Sequence, residues 1–403
     1  QAAGVSTDSA HARFRKVLVT GQMAFTVLLL AAAGLFVESL YNLKNLDLGL
    51  RPDRLMAFSL SPALNGYSPP RTAALFERLT EALAAAPGIE AVSAAKIPVL
   101  ASSNERSNIT TEGRQEKEGE DLIVGKNWIG PNYFSTMGIP LVAGRELTRQ
   151  DSANSQKVAV VNEAMARSFF PGRDPIGRKF ALGGGTGVRP DIDIVGVVKD
   201  SRHGGVREDP GRFVYMPHSQ KADLGNLTFY LRTAQPPSAV AAAVRREVAR
   251  LDPNLPVFDL KTMQAQVEES IVGERIITLL SASFGVLAAV LAAIGIYGLL
   301  AFTVARRTRE IGIRIALGAR GGAVRWIILK EIGLLALAGA VIGLPAAYGL
   351  GRLVESLLFG VKAGDPLIEV AAAASMILVA LLSAWLPARK ATRIDPMTAL
   401  RYE

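Results

Sequence analysis

The densest chemical stretch in the chain spans residues 306–331, RRTREIGIRIALGARGGAVRWIILKE. Seven basic residues (Arg306, Arg307, Arg309, Arg314, Arg320, Arg325, Lys330) stand there against two acids, Glu310 and Glu331. Guanidinium groups interleaved with Ile311, Ile313, Ile315 and Leu317 combine charge-assisted hydrogen bonding with apolar anchoring. That is the chemistry of a docking contact. Residues for bond making are sparse. Of the three histidines, His203 and His218 lie 15 residues apart and His11 stands alone, without HExxH-like spacing, so they are expected on the surface or in loops. The run Gly183-Gly184-Gly185-Thr186-Gly187 lacks the Lys of a GxxxxGK[ST] phosphate cradle and reads as a hairpin connection. The acids between Glu112 and Asp121 read as a solvated loop, and no serine sits in a G-x-S-x-G elbow. Without cysteine there is no thiolate chemistry and no disulfide. The expectation is a protein that is not an enzyme and has no metal or cofactor of its own.

The elements that must position the basic stretch are apolar. Residues 17–37, 276–305, 332–351 and 370–388 are uncharged runs of 21, 30, 20 and 19 residues, and about 20 helical residues cross a bilayer. With 49% hydrophobic and 20% charged residues, a chain of 403 residues is too apolar for an ordinary soluble protein and too charged to lie wholly in lipid. The net charge of +9 is not spread evenly: residues 41–274 hold 28 basic and 27 acidic side chains. The excess flanks the apolar runs, at Arg13, Arg15 and Lys16, in 306–331, and at Arg389, Lys390, Arg393 and Arg401. A nucleic-acid binder would gather its basic residues on one folded face, so nucleic acid is not an expected partner. Basic residues are retained on the cytoplasmic side, and one topology puts every flank there. A flank at 1–16 is followed by a span at 17–40, an excursion at 41–274, spans at 275–305, 332–358 and 367–388, a short outer loop at 359–366 and a tail at 389–403.

No span carries Asp, Glu, Lys or Arg near its centre; Glu38, Glu355 and Glu369 fall at the outer ends. Carriers of ions usually show intramembrane ionisable groups, which argues against a proton-coupled carrier or an ion channel. Gly339 and Gly343 form a small-x-x-x-small pair, a spacing that lets helix backbones approach closely in lipid.

The excursion begins and ends alike. Strand-like 55–61, a helix at 69–86 opening on Pro-Pro and strand-like 89–96 are matched by 227–232, a Pro-Pro helix at 236–251 and 255–260. Two such units can pair into a ferredoxin-like α+β sheet. Residues 41–99 and 225–274 would form this part, and 100–224, with β-like runs at 107–111, 122–128, 157–161, 192–198 and 212–216 and a helix at 163–170, an inserted β-rich subdomain. Residues 262–275 read as a helix continuing without a break into the second span, stiff enough to carry displacement. The fold expected is therefore a membrane α-helical protein of four spans with a large α+β extracytoplasmic domain.

At this point the residues resemble a known family. Arg309-Glu310-Ile311-Gly312-Ile313-Arg314-Ile315-Ala316-Leu317-Gly318-Ala319 is similar to the loop of FtsX-like permeases, the MacB-type ABC transporter family. Pro387-Ala388-Arg389-Lys390-Ala391, then Ile394-Asp395-Pro396 and Ala399-Leu400-Arg401, resembles the tail of that family. Pro131-Asn132-Tyr133-Phe134, Met137-Gly138-Ile139-Pro140, Gly144-Arg145, Val160-Val161-Asn162-Glu163 and Asp174-Pro175-Ile176-Gly177 look like its periplasmic core domain. The opening residues 12–30, in a chain that starts at Gln1, are most similar to the second half of duplicated permeases, so a segment of a longer chain is expected.

The resemblance implies a porter-like part at 41–99 and 225–274 and no ATP site in the chain. It implies a separate cytoplasmic ABC ATPase that binds ATP, a second permease copy or the other half of a duplicated chain, the lipid bilayer and a periplasmic adaptor. Motion would pass from the ATPase through the loop 306–331 and the second span to the periplasmic domain, in a bacterial inner membrane with both termini cytoplasmic. Arg309, Glu310 and Arg314 would make polar contacts, Ile311, Ile313 and Leu317 would anchor, and Gly318 would end a short docking helix. The apolar positions alternate with period two, a strand pattern; the helix is implied by the resemblance. An alternative role is that of a signal transmitter that transports nothing and regulates an extracytoplasmic partner such as a cell-wall hydrolase.

Overall fold

The computed structural model describes residues 3–112, 121–184, 188–308, 313–314 and 321–391. The described chain divides into two units, one of Gln1–Asn45 with Gly273–Glu403, the other of Leu46–Val272. In the first unit α1 (Ala3–Lys44) is a single helix that extends past both ends of its apolar run.

The second unit is built on one sheet. β1 (Leu55–Leu60), α2 (Pro69–Ala84) and β2 (Ile89–Ala95) make its first β-α-β unit. The insert follows, with β3 (Glu105–Thr111), β4 (Ile123–Ile129), α3 (Tyr133–Met137), β5 (Leu141–Gly144), β6 (Val158–Asn162), α4 (Glu163–Phe169), β7 (Lys179–Leu182), β8 (Ile192–Val198) and β9 (Phe213–Pro217). β10 (Leu227–Thr233), α5 (Pro237–Leu251) and β11 (Phe258–Thr262) complete the second β-α-β unit. Both long helices carry proline in the first turn, where the missing N–H has no helical partner to lose. The strand order β11-β1-β10-β2, all antiparallel, is that of a ferredoxin-like sheet. Its covered face packs Phe58 on Phe229 at 5.1 Å between centroids, under Phe76 of α2 and Val244 of α5.

The insert closes on itself. β4-β3-β7-β8-β6-β9 are successive neighbours, and β9 returns to pair with β4 in parallel from Gly125↔Phe213 to Ile129↔Pro217. Closure leaves these strands without free edges. A separate core fills the ring, including Val161, Phe180, Ile194 and Met216. The two parts join where Ala95 of β2 pairs with Ile129 of β4. Beside that point the buried Asn127 side chain accepts from Ile97 N–H at 3.0 Å and donates to its carbonyl at 2.9 Å. The glycine run reads as expected in part: β7 and β8 pair antiparallel, and residues 183–191 connect them, although 185–187 lie outside the described residues. The acidic loop read at 112–121 also falls mostly outside them.

The structure departs from expectation in four places. β11 starts at Phe258 instead of residue 255, because Leu255 N–H turns back to Asp252 O at 3.2 Å and delays the extended run. α3, β5 and β7, of five, four and four residues, were not anticipated, being too short to show a period. His203 is not a surface residue: it is buried, stacked on Phe213 at 4.0 Å between centroids. Finally, the helix through 262–275 is interrupted. α6 (Met263–Ser270) stops at Ile271, whose φ/ψ of −116°/16° is not helical, and α7 (Val272–Arg306) starts one residue later. The break falls in Ile271-Val272-Gly273, two β-branched residues and a glycine, which are poor helix formers.

The first unit resumes with α7, followed by α8 (Gly321–Leu353) and α9 (Pro366–Ala391). With α1 these are four helices long and apolar enough to cross a membrane. In lipid only such closed hydrogen-bonding elements satisfy the backbone. Met23, Val27, Ile296, Ala336, Met376 and Ala380 are among the residues that form their shared core.

Candidate functional site

The basic end of the helical unit is assembled from three helices. α7 delivers Phe302 and Arg306, with Arg307 the residue after its end; α1 delivers Arg15 and Lys16; α8 delivers Glu331. The guanidinium of Arg15 lies 4.1 Å from the Phe302 ring centroid and that of Arg306 lies 5.7 Å from it, a pairing with the ring quadrupole. Glu331 takes the Lys16 ammonium at 2.5 Å on one carboxylate oxygen and Arg307 at 3.6 Å on the other. These ion pairs are solvent-exposed and individually weak. Their effect is positional: one carboxylate joins Lys16, where the apolar run of α1 begins, to Arg307 just past α7, and itself stands where the apolar run of α8 begins.

Of the residues expected to dock a partner, Ile313 and Arg314 are described, as exposed helical residues. Arg309, Glu310, Ile311, Leu317 and Gly318 lie outside the described residues.

Gly339 and Gly343 both face α1. A Cβ at Gly339 would lie 2.7 Å from the Met23 Cβ, and one at Gly343 would lie 2.6 Å from the Ala24 carbonyl oxygen. The absence of side chains brings the two backbones together, as small residues do between helices in lipid. Two polar residues one helical turn apart on α1, Gln22 and Thr26, were passed over in the sequence. Thr26 Oγ1 donates to Gln22 O at 2.8 Å and lies 3.3 Å from Ala288 O of α7, and Gly295 of α7 leaves room for the Gln22 side chain. In return Thr278 Oγ1 of α7 lies 3.2 Å from Phe36 O. Their spacing of four within an uncharged run was the available signal.

In the second unit three buried titratable groups serve the fold. Burial lowers the His203 imidazole to about 3, so it is neutral, and its Nε2 lies 2.6 Å from the Tyr215 hydroxyl. Burial likewise pushes the Tyr215 phenol up. Burial alone would raise the Asp151 carboxyl, but two 2.8 Å bonds from Arg145 and one from Thr148 N–H hold it below the usual range. Among the described residues no three His, Cys, Asp or Glu side chains are grouped to hold a metal ion.

Comparison with known proteins bears on both units. Residues 18–249 match the MacB-like periplasmic core domain and residues 282–396 match the FtsX-like permease C-terminal region. The macrolide export ATP-binding/permease protein MacB of Agrobacterium fabrum is 29% identical over 302 residues, covering 72% of this chain and 45% of that protein. The probable syringafactin export ATP-binding/permease protein SyfD of Pseudomonas syringae pv. tomato is 27% identical over 291 residues, 70% of this chain and 42% of that one. The chain thus spans less than half the length of these two relatives. It covers 75% of the uncharacterized ABC transporter permease YknZ of Bacillus subtilis, at 26% identity over 311 residues and 76% of this chain. The crystal structure of the periplasmic region of MacB from Actinobacillus actinomycetemcomitans superimposes with a TM-score of 0.37 at 17% identity, covering 58% of this chain and 97% of that chain.

Proposed function

Because the chain belongs to the family of FtsX-like permeases with a MacB-like periplasmic core domain, we propose that it is the permease subunit of an ABC-type exporter. ATP is bound and hydrolysed by a separate cytoplasmic ATPase subunit, and the chain works beside a second permease copy or the other half of a duplicated chain. The membrane is the inner membrane of a bacterium. The basic helix ends and both termini are cytoplasmic, and residues 41–274 are extracytoplasmic, where a periplasmic adaptor can join them.

The ATPase docks on the segment 306–331. Its closure displaces the ends of α7 and α8, and the displacement passes along α7, through the joint at Ile271, into α6 and the sheet beyond. Substrate is thus moved outside the lipid by transmitted motion. The observation that carries this is the tie through Glu331 of α8, which joins Lys16 of α1 and Arg307 beyond α7 across the two ends of the docking segment. Force on that segment is shared by three spans. The apolar core among the described residues of the four helices supports it further, since that core offers a solute or ion no charged path.

The test is the double substitution Glu310→Arg with Leu317→Asp in the full chain, reconstituted with its ATPase. Association and permease-dependent ATP turnover should both be lost. Wild-type association and turnover would overturn ATPase docking at this segment. A topology reporter inserted after Thr148 should read as extracytoplasmic.

A further inference from the structure

Side chains alternate across a strand, so the sheet of the second unit has two faces. Met56, Phe58 and Leu60 of β1 and Leu227, Phe229 and Leu231 of β10 point into the core beneath α2 and α5. Ala57, Ser59, Thr228 and Tyr230 point the other way. The cover on that side is partial: residues 97–102 and α6 lie over the strands and leave a cavity of about 290 Å³ between them. This is close to the lower bound of small-ligand sites, roughly 300 Å³.

We propose that this cavity binds a small amphiphilic cation, an ammonium group joined to an apolar body. The floor is small: Ala57 and three hydroxyl-bearing residues, Ser59, Thr228 and Tyr230, whose hydroxyls are already engaged. Ala57 and Ser59 leave room that larger residues would fill, and the Ser59 and Thr228 hydroxyls satisfy each other at 2.8 Å, so they compete little for an incoming group. Tyr230 is likewise engaged, accepting from Val99 N–H at 2.9 Å. Met263 and Leu100 add an apolar wall.

The rim carries the charge. Lys261 is bonded to Glu269 at 2.6 Å and lies 3.8 Å from Asp259, so two carboxylates face one ammonium and one negative charge is left over. A ligand ammonium at the rim shares those carboxylates while its apolar body covers the floor.

The wall is held in place against its own backbone preference. Leu100 and Ser102 have φ of 59° and 54°, and Asp259 on the rim has 50°, a left-handed conformation uncommon for side-chain-bearing residues and rare for one as bulky as Leu. Leu100 and Ser102 are fixed there by N–H bonds to His203 O at 2.6 Å and Gly204 O at 2.7 Å, and Gln266 of α6 donates to Leu100 O at 3.0 Å. Such conformations persist where the surroundings over-determine them, and they cluster at ligand sites.

The test uses the full chain in nanodiscs of zwitterionic lipid, with ligand-detected saturation-transfer NMR and empty nanodiscs as background. The probes are phenethylammonium, neutral 2-phenylethanol and anionic phenylacetate. Phenethylammonium should bind in preference to both. Glu269→Lys, at an exposed rim position, should weaken it by about tenfold by replacing attraction with repulsion, and Asp259→Asn should weaken it by a smaller factor. Equal binding of all three probes, no signal above empty nanodiscs, or unchanged cation binding in Glu269→Lys would each overturn the assignment. No ATPase or nucleotide is present, so failure here leaves ATPase coupling untouched, and failure of that coupling leaves this binding measurable.

Discussion

Gly343 presents hydrogen where any other residue would present carbon, and the Ala24 carbonyl oxygen of α1 occupies the space: a Cβ would lie 2.6 Å from it and 2.9 Å from the Val27 Cβ. Both contacts are shorter than real side chains sustain, and one of them is backbone.

Gly343→Leu should therefore push α8 off α1. Overpacking of this kind costs about 1–3 kcal/mol. Fluorescence-detected size exclusion after heating should show a melting temperature lowered by several degrees. Gly349→Ala is the matched control, since its Cβ meets nothing within 4 Å and the site is exposed; it should leave the melting temperature unchanged or slightly raised.

Asn127→Leu should loosen the join between the ferredoxin-like sheet and the closed insert. The substitution leaves both the N–H and the carbonyl of Ile97 without their buried partner, a loss of about 2–4 kcal/mol for two unsatisfied groups. Limited proteolysis near residues 96–104 should become faster than in the wild type. Equal cleavage would show that the backbone bonds around Ala95 and Ile129 hold the join without Asn127.

The stability of the second unit should depend on pH through His203. Its folded value is about 3 against an ordinary 6.5, so the unfolded chain takes up the proton first. Above pH 6.5 the group is neutral in both states and contributes no slope. Below 6.5 stability falls by about 1.4 kcal/mol per pH unit until the folded imidazole itself titrates near 3. Urea unfolding between pH 7.5 and 4.5 should lose this component in His203→Gln, and an identical pH dependence would refute it.

Gly273→Ala should stabilise the start of α7. No atom lies within 4 Å of the added Cβ, and alanine gains about 0.5–1 kcal/mol over glycine inside a helix. If the joint at Ile271 transmits motion by yielding, the variant should also change the coupled ATPase rate while the melting temperature rises. A changed rate without a rise would place the effect elsewhere.

What could be read from residue order follows from local physics. The four apolar helices were visible because an uncharged run of about 20 residues is a compositional signal that needs no partner. The two helices of the ferredoxin-like sheet were visible because each Pro-Pro pair marks a first turn. The pattern of Gly339 and Gly343 announced a close approach, yet which helix approaches became known only when α1 was found against them.

The docking residues stand differently. Arg309, Glu310, Ile311, Leu317 and Gly318 were picked out by family resemblance, and five of the seven docking positions lie outside the described residues. Their contact remains the subject of the double substitution.

By itself, then, the order of residues determined the spans, the large domain between the first two and the concentration of positive charge at one set of helix ends. Each depends on composition within a window of about 20 residues or on a turn signal of two or three. Tertiary structure decided the rest: the return of β9 to β4, the burial of His203 under Tyr215, the cavity between Ala57 and Met263, and the break at Ile271. The first and third bring together segments far apart in sequence, the second depends on what packs over a loop, and no local pattern records a partner. The break was written in poor helix formers, but a helix tolerates such residues often enough that only the folded backbone shows where it gives way.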